Sequence, residues 1–304
     1  MSSPLSCAVM IPTHNRLDDL RRTLEVLAQL DPQPDEVIIT ADGCTDATVG
    51  FLRQRTHRLI VNPVARGSTA SRDTMMREAA SDLVLSLDDD SHPLERDAIA
   101  RVRALFSARP RLAVASFPQR TDEMPESLIQ PGFGPPMFVG TYVNCACAFR
   151  RRVLPDLGGH FGPFWNAYDE ADFALRCLAA GWEVRFEPSL TIRHHYAGLN
   201  RNHERVHRMH ARNELWSVFL RCPALQLPGV AFFRAARQFA YAWRHGLAWI
   251  LREPQWWFAC LAGLSGLVGR RRVVPWRFYL AWMRLVRQPI ASETEWRKIA
   301  GPAA

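Results

Sequence analysis

The sequence predicts an α/β fold: a Rossmann-like, mostly parallel sheet with helices on both faces, followed by a helical extension. Three observations carry that prediction. Short apolar runs alternate with amphipathic segments through the first 120 residues. Polar residues gather where successive apolar runs end. After His195 the chain turns basic and tryptophan-rich. Alternating strands and helices imply right-handed crossovers and a sheet covered on both sides.

The elements follow in order. "CAVMI" (7–11) reads as a buried strand, and Leu17, Leu20, Leu24 and Leu27 then recur at helical spacing. "EVIITA" (36–41) is the second strand and ends in the turn "DGCTD"; "RLIV" (58–61) is the third. A helix over 67–80 leads to the strand "LVLSL" (83–87), a helix over 94–106 and the strand "LAVASF" (112–117). Residues 119–140, rich in Pro, Gly and acids, read as one long loop of the functional or mobile kind. "TYVNCACAF" (141–149) returns as a strand, 169–181 as a helix closed by Gly181, and "EVRFEP" (183–188) as a strand. The predicted division is a domain over 1–198 and an extension over 199–304.

In such a sheet, ligands bind beyond the carboxyl ends of the strands. "PTHNR", Asp42, Arg66 with Gly67, and the acidic run "DDDS" follow strands one to four in turn. Four polar clusters at one edge point to a single site. Clustered carboxylates are hard oxygen ligands suited to Mg²⁺ or Mn²⁺, and Mg²⁺ commonly completes its shell with water and phosphate oxygens. An EF-hand is excluded, because position twelve counted from Asp88 is Ile99. There is no G-x-G-x-x-G and no Walker loop. Phosphate charge must be met by the metal and by arginines such as Arg16, Arg66 or Arg72.

The net charge of +8 hides an asymmetry. Residues 201–304 carry 17 basic and 5 acidic side chains, whereas the first 200 carry 21 and 25. Eight of the ten tryptophans lie in that last third. Trp243, Trp249, Trp256, Trp257, Trp276 and Trp282 interleave with Arg234, Arg237, Arg244, Arg252 and Arg270–Arg272. Residues 229–287 thus suit amphipathic helices on an anionic membrane surface. A packing subdomain or a homodimer interface stays open beside that reading. No nucleic acid is expected, since no recognition module is present. The longest uncharged run, Pro254 to Gly269, has 16 residues and is short of the ~20 a spanning helix needs.

Seven scattered cysteines and no signal-peptide pattern point to the cytoplasm, with the inner face of the cell membrane as the docking place. Cys145 and Cys147, two apart on an expected strand, are expected to share one face. His203, His207 and His210 fall on one helix face with no obvious acidic partner, which favours a polar face over a second metal site.

"AVMIPTHNR", "ITADGCTD", "RGSTASRD" and "LSLDDDSHP", in that order and spacing, resemble a family 2 glycosyltransferase of GT-A fold. "CAFRRRVLPDLGGHFGPF" and "YDEADFALRCLAAGWEVRFEP" continue the resemblance, which covers roughly residues 7 to 220. It implies a nucleotide-sugar half over 1–118 and an acceptor half over 119–198. Pro12, Thr13, His14 and Arg16 would line the nucleotide pocket. Asp42 would hold a uracil or thymine base, with Gly67 and Arg72 beside the nucleotide. Asp88 and Asp90 would be the outer acids of a DxD motif, Asp90 on the metal and Asp88 on ribose or the metal shell, with Asp89 counted among the donor-binding residues. His194, six residues after Pro188, would be a third metal ligand, and His195 a less suitable one. The family's acidic dyad appears as Asp169–Glu170 with the two acids exchanged, so Glu170 occupies the position of the base. Asp73 replaces an amide, and His160 interrupts "GGF".

The resemblance implies an inverting, metal-dependent transfer of sugar from a UDP- or dTDP-sugar to a glycan, lipid-linked or other hydroxyl acceptor. Two alternatives compete. A sugar-phosphate nucleotidyltransferase would open with a Gly-rich loop and Lys after strand one; this chain has "PTHNR" there and a single lysine, Lys298. A non-catalytic nucleotide-binding or membrane-docking scaffold would not need the acidic pair.

Overall fold

The computed structural model describes residues 4–196 and 202–300. The expected domain boundary at 198/199 lies outside the described residues. Eleven strands are described: β1 Cys7–Thr13, β2 Glu36–Asp42, β3 Arg58–Asn62, β4 Leu83–Leu87, β5 Ser91–Pro93, β6 Leu112–Ser116, β7 Gln119–Thr121, β8 Met137–Phe138, β9 Ala146–Arg150, β10 Glu183–Phe186 and β11 Ile192–His194. The first seven helices are α1 Leu17–Leu27, α2 Thr48–Leu52, α3 Ser68–Glu78, α4 Ala98–Ala108, α5 Glu126–Ile129, α6 Leu154–Leu157 and α7 Asp169–Ala179. The extension adds α8 His203–Arg221, α9 Leu227–His245, α10 Leu247–Leu264, α11 Trp276–Arg287 and α12 Glu293–Ala300.

Eight strands form one sheet in the order β3-β2-β1-β4-β9-β6-β10-β8. Only β9 and β8 run antiparallel to their neighbours. The apolar residues explain the layering. Val9, Ile11, Leu85 and Leu87 enter one buried cluster, and Ala8, Met10 and Val84 enter another. Strands apolar at both parities must be covered on both faces.

A second sheet is small and positions the site. β11 lies between β5, antiparallel, and β7, parallel, with Ser91 opposite His194. The turn holding Asp88–Asp90 runs straight into β5, so this pairing draws His194 to the acidic turn.

Several expected boundaries shift. The loop 119–140 contains β7, α5 and β8. The strand expected from residue 141 begins at Ala146, and the helix expected from 94 begins at Ala98 because Ser91–Pro93 is spent on the second sheet. The late start of β9 also separates its cysteines. Cys147 packs with Phe149 in one cluster and Cys145 belongs to the other, so they do not share a face.

The extension packs back onto the sheet domain. Phe138 stacks on Trp296 at 4.4 Å, and Tyr279 and Trp282 join Leu175 and Leu178 in a shared core. This corrects the tryptophan reading: Trp256 and Trp282 are buried core residues, while Trp243 and Trp257 are exposed.

α7 and α8 are joined through Asp172, which is fully buried. It accepts from Arg221 Nε at 2.8 Å, Arg176 Nε at 2.9 Å and Ser217 Oγ at 2.9 Å. Burial opposes its ionisation, but Arg221 and Arg176 outweigh that and hold the carboxyl at about 2. A folded pKa below the unfolded one gives stability that is present above pH ~4 and is lost as pH falls towards ~2. Asp172→Asn leaves two buried guanidiniums short of a counter-charge and is expected to lower unfolding stability by roughly 3–5 kcal/mol. Urea melts at pH 7 and pH 3 check both points: the gap between parent and variant should shrink at the lower pH.

Candidate active site

The carboxyl ends of β1, β2, β3 and β4 carry the predicted residues to one edge. Pro12 and Thr13 end β1 and are buried. Thr13 Oγ1 donates to Asp89 Oδ2 at 2.8 Å. Arg16, just before α1, reaches Asp89 Oδ1 at 3.0 Å, Asp90 Oδ2 at 2.8 Å and Asp19 Oδ2 at 2.9 Å. His14 Nδ1 lies 2.6 Å from the Asp42 carbonyl oxygen.

Asp42 faces inward. Its carboxylate accepts from Asn62 Nδ2 at 2.8 Å, from Arg66 N at 2.9 Å and from Gly67 N at 2.8 Å. These bonds brace the loop between β3 and α3, and both carboxylate oxygens are engaged. Gly67 has φ +89°, and a Cβ there would stand 2.5 Å from the Trp165 carbonyl oxygen. Only glycine combines that backbone with that close approach.

The three aspartates differ. Asp88 is half-buried and paired with Arg72, whose Nε also donates to Ser86 Oγ at 3.2 Å. Asp89 turns inward onto Thr13 and Arg16; burial raises its carboxyl to about 8 despite Arg16. Asp90 is 4% exposed. Burial opposes its ionisation, but His194 and Arg16 outweigh this and hold it below the usual range. His194 is likewise raised, because Asp90 outweighs the effect of burial. His194 Nε2 lies 3.3 Å from Asp90 Oδ1, an oxygen with no hydrogen-bond partner among the described residues. His195 turns its ring to His92, 3.1 Å between Nε2 atoms, and its backbone N–H donates to the Asp90 carbonyl at 2.8 Å.

These groups fit a divalent cation. One oxygen of Asp88, the Cys145 thiol and one nitrogen of His194 lie within 4.8 Å of one another, and the undonated Asp90 Oδ1 faces the same histidine. Carboxylate oxygens with one imidazole suit Mn²⁺ or Mg²⁺. Cys145 went unrecognised in the sequence because it reads as strand core. Its thiol is raised well above its ordinary value by burial, so it stays neutral. The histidines of α8 are different: His207 Nε2 meets Glu253 Oε1 at 2.8 Å, the partner that sequence spacing did not reveal.

Asp169 and Glu170 open α7 opposite Arg72. Asp169 is 1% exposed, with Oδ2 3.2 Å from His160 Nδ1 and accepting from Asn144 Nδ2 at 3.0 Å. Burial opposes its charge, but His160 and Glu170 overcome this and lower its pKa. Glu170 is half-buried and goes the other way: burial and the adjacent Asp169 charge raise it well above the carboxylate range. Of the two, Glu170 is the acid whose ionisation is disfavoured. His160 and Asn144 were not foreseen as supports.

A family model described as "Glycosyl transferase family 2" matches residues 8–158. The chain belongs to glycosyl transferase family 2. This glycosyltransferase resembles solved GT-A enzymes. The mannosyltransferase PcManGT from Pyrobaculum calidifontis, in complex with GDP-Man and Mn²⁺, is 19% identical with a TM-score of 0.56; the match covers 94% of this chain and 87% of that one. S. aureus TarS 1-349 with UDP-GlcNAc is 15% identical with a TM-score of 0.60, covering 83% and 78%. GalNAc-T7 with UDP, GalNAc and Mn²⁺ is 13% identical with a TM-score of 0.61, covering 80% of this chain and 52% of that one. At these identities the likeness concerns the fold. No curated protein matches the sequence.

Gly67→Ala tests the wall between donor loop and Trp165. The backbone at Gly67, φ +89° and ψ 157°, lies in a region essentially confined to glycine and costs an alanine roughly 1–3 kcal/mol, and the collision with Trp165 adds to it. A thermal melt should show the loss, and Trp165 fluorescence should shift as its ring is displaced.

Proposed function

We propose that this glycosyltransferase moves a sugar from a nucleoside diphosphate donor, UDP or dTDP in the first instance, to a hydroxyl acceptor with inversion. The observation that carries the reading is the division of labour across the sheet edge: Asp88, Asp90 and His194 on one side, a paired Asp169–Glu170 on the other. Pro12, Thr13, His14 and Arg16 lie where a nucleotide would meet β1, with Gly67 and Arg72 beside it. Asp42 and Asp89 act chiefly by holding the loop and Arg16 in place. Neighbouring folds bound to GDP-Man and UDP-GlcNAc support a nucleotide-sugar donor without choosing the base.

A Mn²⁺ or Mg²⁺ ion held by Asp88, Asp90 and His194 would neutralise the departing diphosphate. Arg72 adds a buried positive charge between Asp88 and the acidic pair, and burial is outweighed by Asp88 and Asp169 in keeping it protonated. Glu170 takes the acceptor proton. A carboxylate with a raised pKa is a stronger base than an ordinary one and is suited to operation near neutral pH. Asp169 stays ionised, clamped by His160 and Asn144, and sets the basicity of Glu170. One carboxylate acting from the face opposite the leaving group makes a single displacement.

Three measurements test this. Asp90→Asn should abolish Mn²⁺-dependent turnover in a nucleotide-sugar panel, and EDTA should do the same to the parent; unchanged rates would end the metal reading. Glu170→Gln should lower kcat by about 10²–10⁴. The parent's rate should rise with pH through an inflection above the usual carboxylate range, because Glu170 must lose its proton. Asp169→Asn should move that inflection down, since the neighbouring charge that raises Glu170 is gone.

The extension is proposed to dock on an anionic bilayer, which suits a lipid-linked acceptor. Leu247, Leu251, Pro254, Phe258 and Leu261 recur at helical spacing along α10, and Leu247, Leu251 and Phe258 are each at least 70% exposed. Phe232 and Trp243 continue the apolar surface on α9. Between residues 222 and 292 there are ten arginines and one acid, Glu253, which is buried against His207 and Trp256. An apolar stripe in a segment with a large surplus of arginine complements anionic lipid. Among the described residues no helix is long and apolar enough to cross a membrane. The seven free cysteines support a reducing, cytoplasmic setting. Sedimentation with vesicles is the check: binding to phosphatidylglycerol-containing vesicles, not to phosphatidylcholine alone, and its loss in Leu251→Asp/Phe258→Asp. A concentration-dependent dimer broken by the same pair of substitutions would assign the stripe to a homodimer instead.

A further inference from the structure

Arg205, Arg208 and Arg212 occupy one face of α8 at spacings of three and four. They line an open cleft of about 430 Å³ together with Trp165, Gln255 and Trp256. Arg208 donates to Gln255 Oε1. Arg212 lies over the Trp216 ring at 4.3 Å and donates to Asn213 Oδ1 at 2.9 Å. Among the described residues, none of the three forms an ion pair. By contrast, the other tail arginines that face carboxylates take them at short range: Arg234 on Glu214 at 2.9 Å and Arg252 on Glu204 at 2.6 Å. Burial lowers the Arg212 pKa, with no carboxylate to offset it. Three converging guanidiniums without a counter-charge repel one another, and their planar forks match phosphate oxygens.

The cleft is tied to the reaction centre. Trp165 lines it while its ring rests against Gly67, and its carbonyl accepts from Thr69 N at 3.0 Å. Asn213, between the cleft arginine Arg212 and buried Glu214, donates to the carbonyls of Phe164 at 2.7 Å and Ala167 at 2.8 Å. That clamp fixes the segment running from Trp165 into Asp169 and Glu170. The cleft also borders the exposed stripe. Gln255 follows Leu251 by four residues and precedes Phe258 by three, so all three are surface neighbours on α10.

We propose that the Arg205–Arg208–Arg212 cleft binds a phosphate group of the acceptor, an amphiphile whose apolar chain lies along the α10 stripe. The assignment to the acceptor rests on the reading of Asp169–Glu170 as the acceptor side. In the proposed function the donor's diphosphate is met by the cation held by Asp88 and Asp90 and by Arg16 and Arg72, none of which lines this cleft.

Calorimetric titration of the full chain tests this with three probes: inorganic phosphate, octyl phosphate below its micelle concentration, and UDP with Mn²⁺. The variants are Arg205→Gln/Arg208→Gln, both at the surface, with thermal melts to show that they fold. Octyl phosphate should bind the parent at least about tenfold more tightly than inorganic phosphate, because the chain is taken up by the stripe. The double variant should lose about tenfold or more for both phosphates and keep its UDP affinity. Equal phosphate binding by parent and variant would overturn the site. Equal affinity for the two phosphates would overturn the amphiphile. A matching loss of UDP affinity would move the cleft to the donor. UDP failing to bind the parent with Mn²⁺ would defeat the broader function while leaving the phosphate result to stand or fall by itself.

Discussion

The structure depends on holding three consecutive carboxyl groups at the end of a buried strand. Adjacent carboxylates repel, and their desolvation is costly. The fold answers by sending each to a different partner: Asp88 to Arg72, Asp89 to Thr13 and Arg16, and Asp90 to Arg16 and His194. Those partners come from α3, β1 and its following turn, and the second sheet. The pairing of β5 with β11 exists to the same end, since it carries His194 across from the far end of the domain. Without these partners the acidic turn would be a solvated loop. With them it is a preorganised set of oxygen and nitrogen donors.

Much of this was legible in the residues. The strand–helix alternation, the polar clusters at strand ends and the acidic turn all follow from local pattern, because period and turn chemistry are short-range signals. His194 was placed by its spacing from Pro188 within the resemblance. What could not be read was long-range. Asp42 looked like a base-holder, but its oxygens are taken by Asn62 and the amides of Arg66 and Gly67, 20 to 25 residues downstream. Cys145 read as strand core because it lies inside the run expected as a strand from residue 141, whereas β9 starts just after it, at Ala146. The tail tryptophans looked interfacial as a set, yet composition does not separate a buried Trp256 from an exposed Trp257 next to it.

The extension illustrates why burial, not composition, decides what a basic segment does. Glu214 is fully buried and gathers Arg234 and Gln238, so a polar knot joins α8 and α9, beside apolar contacts of Val218 and Trp216 with the α9 residues Val230 and Ala235. Part of the extension's apolar surface closes on the sheet domain through Phe278, Tyr279 and Trp282 of α11. The remainder, along α10, has no cover among the described residues. An exposed apolar stripe is costly unless something covers it, and the surplus of arginine over residues 222–292 bears on what can.

The three places where this chain departs from its family pattern meet around Asp169. The dyad reads Asp–Glu in place of Glu–Asp, and His160 breaks the "GGF" run. Shortening the first acid to aspartate places its carboxylate inside the protein, against the Phe173 layer, where charge needs compensation. His160 supplies it: its ring stacks on Phe173 at 5.0 Å, stands edge-on to Phe149 at 5.5 Å and presents Nδ1 to Asp169 at 3.2 Å. Its backbone N–H is held by Asp73 Oδ1 at 3.0 Å, which gives a purpose to the charge standing where the family has an amide. Three separate oddities of sequence therefore serve one outcome. The ionisation of the first acid is favoured, and its field raises the second, which is left with the longer side chain and the partial exposure that the proposed base would need.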